Sequence, residues 1–129
     1  FDGVGEWATT TFSEGNKNNI IMKKEIRFPH SLGLIYSVFT AFLGFEINEG
    51  EYKVMGLAAF GKPIYREKVD NLITFNNGRF FLDMSFFNFT NLKKNPFSDK
   101  FIKFFGNPVD KDFYKTNKNT KSKFLRNFI

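Results

Sequence analysis

The spacing of apolar and polar residues changes period along this chain, and each change marks an element. Residues 6–13, EWATTTFS, are rich in aromatic and β-branched side chains. After the polar stretch EGNKNN, the segment IIMKKEIRF alternates. Met22, Ile26 and Phe28 fall on one face, and Lys23, Glu25 and Arg27 on the other. Two such runs around a Gly/Asn turn predict a β-hairpin. The period then becomes helical in PHSLGLIYSVFTAFLGF, where Leu32, Ile35, Tyr36, Phe39, Phe42 and Leu43 follow i, i+3, i+4, i+7 spacing. Ser31 stands where an N-cap belongs, and Gly44 where a left-handed residue closes a helix.

NEGEYKVMGLAAFGKP predicts a second, shorter helix with Val54, Met55, Ala58 and Ala59 on its apolar side. Gly61 and Pro63 form its stop signal. IYREKVDNLITF holds a helical turn or two, and NNG between LITF and RFFLDM reads as a tight hairpin turn. From Asn88 the signals fade, except that SDKFIKFFG fits one short helix. No element is predicted from Asn107 onward, and there are no internal repeats. The order hairpin, helices, hairpin, tail points to an α/β or α+β arrangement. A lone two-stranded ribbon is marginal in water, so the first hairpin is expected to have further strands beside it.

The 129 residues suffice for one small domain. Twenty are Phe, a usage that an AT-biased coding sequence explains without any function. No apolar run approaches the roughly 18 residues of a membrane span. No basic segment followed by an apolar run opens the chain, so no secretory signal is predicted. The absence of Cys excludes disulfides, thiolate metal sites and a Cys nucleophile, and fits a cytoplasmic protein. The net charge of +6 is unevenly placed. Residues 1–99 hold 11 basic and 11 acidic side chains, whereas residues 100–129 hold 8 basic and 2 acidic. A basic, aromatic-bearing end fits nucleic-acid binding or a merely solvated terminus. The balanced body supplies no basic face for a nucleic-acid footprint, so neither nucleic acid nor a membrane is expected as a partner.

The candidate chemistry begins at the first residues. Asp2-Gly3-x-Gly5-Glu6 can form a turn whose backbone N–H groups approach a phosphate, with the acid free to bind a metal or orient water. Alone, the same pattern fits an ordinary tight turn, and it is not a Walker loop. His30, the single histidine, fits a turn or capping role, and no second His completes an HxxxH pair. Glu51 and Lys53 read as charges on a solvated helix.

DGVGEWATTTF, FPHSLGLIYSVFTAFLGF and GEYKVMGLAAFGKP, in this order and at this spacing, together resemble the amino-terminal catalytic domain of the NodU/CmcH-type O-carbamoyltransferases. The resemblance covers residues 1–87 well and 88–106 loosely. After Asn107, KTNKNTKSKFLRNFI departs from the helix that closes the family's domain, so residues 107–129 are expected to be a basic, irregular tail after a partial domain at 1–106. The resemblance implies an α/β fold of ASKHA type, similar to actin, with a ribonuclease-H-like mixed sheet flanked by helices. Here that fold would be truncated at both ends, beginning just after a strand. It implies ATP and carbamoyl phosphate as substrates, divalent iron held partly by an upstream HxxxH pair, and transfer of a carbamoyl group to a hydroxyl of a sugar or natural product. Asp2 matches the acid near metal and phosphates and is the candidate metal ligand. Asp2 and Lys53 are the catalytic candidates. Gly3, Gly5 and Glu6 match the phosphate turn, and His30, Ser31 and Gly33 the helix start facing the nucleotide. Glu51, Tyr52, Lys53 and Gly56 match a block lining the same cleft. The partners implied are small-molecule substrates and the remainder of a full-length chain, without which no activity is expected. Two other readings stay open: a small α/β binding module whose basic tail contacts nucleic acid or a partner protein, and another ASKHA enzyme such as a sugar kinase.

Overall fold

The structure, a computed structural model, describes residues 1–92 and 95–113. Strands β1 (Ala8–Asn16) and β2 (Asn19–Arg27) form the first hairpin, antiparallel, with bulges after Ala8 and Phe12. Both strands run further into the turn than the sequence pattern indicated, while β2 stops at Arg27, one residue before Phe28. The residues EGN belong to β1, and the turn is only Lys17-Asn18, with Lys17 at φ 54. A cis Phe28–Pro29 bond leads into α1 (Leu32–Phe42). Ser31 caps α1, its Oγ accepting from Leu34 N–H at 3.1 Å. At the other end Gly44 has φ 82, its N–H donates to Ala41 O, and Phe45 N–H reaches back to Thr40 O. That pair of bonds satisfies carbonyls the helix leaves open.

Helix α2 (Glu51–Ala58) and a short α3 (Arg66–Asp70) follow. Strands β3 (Ile73–Asn76) and β4 (Arg79–Leu82) close on Asn77-Gly78, both at positive φ, as a two-residue hairpin requires. Two 3₁₀ turns, Met84–Phe86 and Phe89–Asn91, precede α4 (Asp99–Phe105), which Ser98 caps.

The chain is therefore mixed α/β, with small antiparallel sheets and several helices. The expected mixed sheet is not formed by the described residues. They make two separate two-stranded sheets, both antiparallel. Only the base of the first hairpin touches the core, through Ile26, while Phe12, Ile21, Met22 and Ile20 (81% exposed) stand in solvent.

The core lies between α1 and the segment from Leu72 to Phe105. Val38, Phe42, Leu72 and Phe101 are fully enclosed. Phe42 meets Phe97, Phe101 and Phe105 at 5.2–6.5 Å, mostly edge to face, the geometry that ring quadrupoles favour. Phe87 bridges to Phe97 through an isolated antiparallel pair. So the region from Asn88, where periodicity faded, still supplies Phe89 and Phe97 from irregular backbone and Phe101 and Phe105 from α4 to the main core.

Two apolar faces differ from expectation. In α1 the buried positions are Leu34, Ile35, Val38 and Phe42, while Tyr36 is exposed, so the buried face is rotated by about one residue. In α2 only Val54 is buried, packed with Leu43, Phe45 and Leu57, and Met55, Ala58 and Ala59 face solvent. Of the expected tail, residues 107–113 are described. Val109 N–H donates to the Phe42 carbonyl at 2.8 Å. The expectation for 114–129 lies outside the described residues.

Candidate functional site

The opening turn is built against the start of α1. Asp2 N–H donates to Thr9 O at 2.9 Å, which folds residues 2–9 back on themselves. Gly5 sits at φ +54, where a Cβ would lie 2.5 Å from Ala8 O, so this tight return needs glycine. Ser31 is fully buried. Its hydroxyl proton faces the carbonyls of Asp2 (3.1 Å) and Gly3 (2.6 Å), while its oxygen caps α1. One side chain thus ties the turn to the helix start. Gly33 permits the contact, because a Cβ there would meet Asp2 O at 2.9 Å and Gly3 Cα at 3.0 Å.

Thr9, which the sequence reading missed, makes the second weld. Its buried hydroxyl lies against Ile26 O and His30 O. A Thr in a β-branched strand carries no signal of such a role. The neighbouring Thr10 Oγ1 is buried with no partner among the described residues.

The structure therefore brings Asp2, Gly3, Gly5, Ser31 and Gly33 together, with His30 adjoining. The Asp2 side chain remains exposed, and among the described residues its Oδ1 accepts only from Gly3 N–H, at 2.6 Å. Glu6 is exposed. His30 has a structural partner: Leu82 N–H donates to its Nδ1 at 3.0 Å, so the ring proton sits on Nε2. The imidazole thereby fastens β4 to the approach of α1.

Glu51, Tyr52, Lys53 and Gly56 lie on α2, which attaches to the second turn of α1. Glu51 accepts from Asn48 N–H, Gly50 N–H and Ser37 Oγ, and its carbonyl accepts from Tyr36 OH. Tyr36 is only partly exposed, at 37%, and the partial burial, then the Glu51 charge, push its phenol up from its usual range. Glu51 thus spends its carboxylate on organising its own helix start. Lys53 is exposed, its ammonium over the rings of Tyr52 (5.6 Å) and Phe45 (5.9 Å). Gly56 has open space around it. The bonds of α2 run to α1 and its own loop, and none joins it to the Asp2 turn among the described residues.

For a metal, the residues present do not suffice. Asp2 is one carboxylate, His30 Nδ1 is occupied, and no group of three or more His, Asp or Glu side chains is placed to hold an ion among the described residues. No described helix is long and apolar enough to cross a membrane.

The chain is thus of mixed α/β class, with an acidic glycine turn locked onto a helix start. The particular family is shown by comparison: the profile described as carbamoyltransferase N-terminus matches residues 1–128, and this chain belongs to that family. A protein of Synechocystis sp. (strain ATCC 27184 / PCC 6803 / Kazusa), described as uncharacterized, is 49% identical over 110 residues. That match covers 83% of this chain and 18% of the Synechocystis protein, so the chain spans under a fifth of that relative's length.

Proposed function

We propose that this chain is part of an O-carbamoyltransferase that works through a carbamoyl-adenylate, made from ATP and carbamoyl phosphate, and delivers the carbamoyl group to a hydroxyl of a sugar or natural product. The observation that carries this reading is the family match over nearly the whole chain. The geometry of the Asp2 turn is consistent with it. In the transfer step the acceptor oxygen forms a bond to the carbamoyl carbon, the bond from that carbon to the adenylate oxygen breaks, AMP leaves, and the hydroxyl proton is lost to a base. Asp2 has the exposure and the rigid backing to accept that proton or hold the hydroxyl. The reading assigns the glycine turn of residues 3–5 to the phosphates, although its Gly3 N–H donates here to Asp2 Oδ1. The wider ASKHA-type fold, the nucleotide-facing role of the α1 start and a cytoplasmic setting belong to the same proposal. Iron, if the full-length protein holds it, needs ligands beyond the described residues, and no step here is routed through it.

The test is Asp2→Ala in a full-length protein containing this chain. Turnover should fall by at least about 100-fold, the scale of removing one group that acts on developing charge. Melting should hardly move, because the Asp2 side chain is exposed. Normal turnover with lowered melting would reduce Asp2 to a turn residue and sink its catalytic role.

A further inference from the structure

The two hairpins approach each other at the surface, over the core residues Ile26 and Phe80. Lys24 Nζ on β2 lies 3.4 Å from where a Cβ of Gly78 would stand, at the β3–β4 turn. Between them lie two adjoining clefts of ≈340 and ≈360 Å³ that share Arg79 and Phe81 as lining residues. The first is also walled by Phe28 and His30, the second by Lys24, Asn76 and Asn77.

The charges here do not cancel. Glu25 is the one acid on the lining, and Arg27 occupies it, with Nε at 2.6 Å and a terminal nitrogen at 2.5 Å from the same carboxylate oxygen. Lys24 and Arg79 have no ion-pair partner among the described residues. Two unneutralised cations therefore face one opening. The ring environment is equally specific. Phe81 is 41% exposed although it is flanked by His30, whose ring meets it at 5.2 Å and 76°. With Nδ1 held by Leu82, the His30 N–H at Nε2 has no acceptor among the described residues.

We propose that this cleft binds a phosphate monoester carried on a planar ring, the chemistry of a nucleoside monophosphate. Arg79 and Lys24 take the phosphate, as a guanidinium fork and a point charge suit a dianion. Phe81 supplies a face for the ring, with Asn76 and Asn77 amides at the edge. The cleft lies outside the Asp2 turn but shares His30 with the α1 start, and AMP is also the product of the proposed transfer, so the Arg79, Lys24 and Phe81 variants rather than wild-type binding alone identify this site.

Isothermal titration of the full-length protein at low salt, with adenosine monophosphate and separately with inorganic phosphate, tests it. Saturable binding of the nucleotide is expected, at least 10-fold tighter than phosphate and weakening as salt rises. Arg79→Gln with Lys24→Gln should weaken it at least 10-fold, Phe81→Leu should abolish the preference over phosphate, and Lys103→Gln on α4 should change nothing. Asp2→Ala should also leave it intact, which separates this site from the proposed catalytic turn. All these side chains are exposed and unchanged melting shows that the variants are folded. Absence of saturable binding, equal affinity for nucleotide and phosphate, or an undiminished signal in the Arg79/Lys24 double variant would overturn the assignment.

Discussion

At Gly33 the fold and the candidate site meet in one hydrogen atom. Its missing Cβ is what lets the Asp2–Gly3 backbone lie on the helix start, at 2.9–3.0 Å from where that carbon would be. Gly33→Ala must push the turn off α1, a forced backbone shift costing about 1–3 kcal/mol. Both melting temperature and turnover of the full-length protein should drop. Gly56→Ala is the contrast. The site is open, and replacing glycine inside a helix stabilises by about 0.5–1 kcal/mol. Melting should rise, and a loss of turnover alongside it would mark Gly56 as approached by a substrate. His30 separates its two readings in a similar way. His30→Ala leaves Leu82 N–H without its acceptor and should cost about 1–3 kcal/mol. His30→Asn keeps an acceptor oxygen near the Nδ1 position and should recover most of that stability, as measured by denaturant midpoint.

Among the elements, the turn Met84–Phe86 and helix α4 are joined by one exposed cluster. Asp83 accepts from Ser85 N–H and Ser85 Oγ and from Lys100 Nζ at 2.9 Å, and the Lys100 hydrogen bond leads in holding its carboxyl down to about 2. In the unfolded chain that carboxyl returns toward 3.8. Its contribution to stability is therefore complete above about pH 4 and is lost as pH falls through about 2. The effect is small, because solvent screens an exposed pair. A melting series from pH 6 to 2 should show a steeper acid loss in the native protein than in Asp83→Asn, and parallel curves would refute the coupling.

For the whole molecule, the uncovered apolar surface matters most. Ile20, Ile21 and Met22 at the hairpin tip stand in solvent, as do Met55 (61% exposed), Phe60 (72%) and Ile64 around the end of α2. Ile21→Glu in the 129-residue chain should alter stability by no more than about 0.5 kcal/mol, as surface changes do. The same change in a full-length protein should cost more wherever the hairpin is covered there. Equal, negligible effects in both would show that this face is exposed in the whole protein too.

What the sequence determined by itself is local. Ser31 and Gly44 announce the ends of α1 because caps are written in single residues next to the backbone groups they satisfy. Asn77-Gly78 announces its hairpin because few residue pairs accept two positive φ values. The family was legible as a motif resemblance, with which the family match agrees, while the meeting of Asp2, Gly3, Gly5, Ser31 and Gly33 is shown by the fold. Only the tertiary structure decided the rest. That Leu34 rather than Leu32 is the buried position depends on the fold, which lays the Gly3 turn over Leu34. Whether α2 is covered depends on neighbours that its own period does not name. The role of Thr9 rests on carbonyls 17 and 21 residues away, and that of His30 on an amide 52 residues away. The aromatic core residues from Phe86 to Phe97 had no period to read, because irregular backbone packed under α1 turns them inward, whereas Phe101 and Phe105 sit on α4, the short helix that SDKFIKFFG indicated.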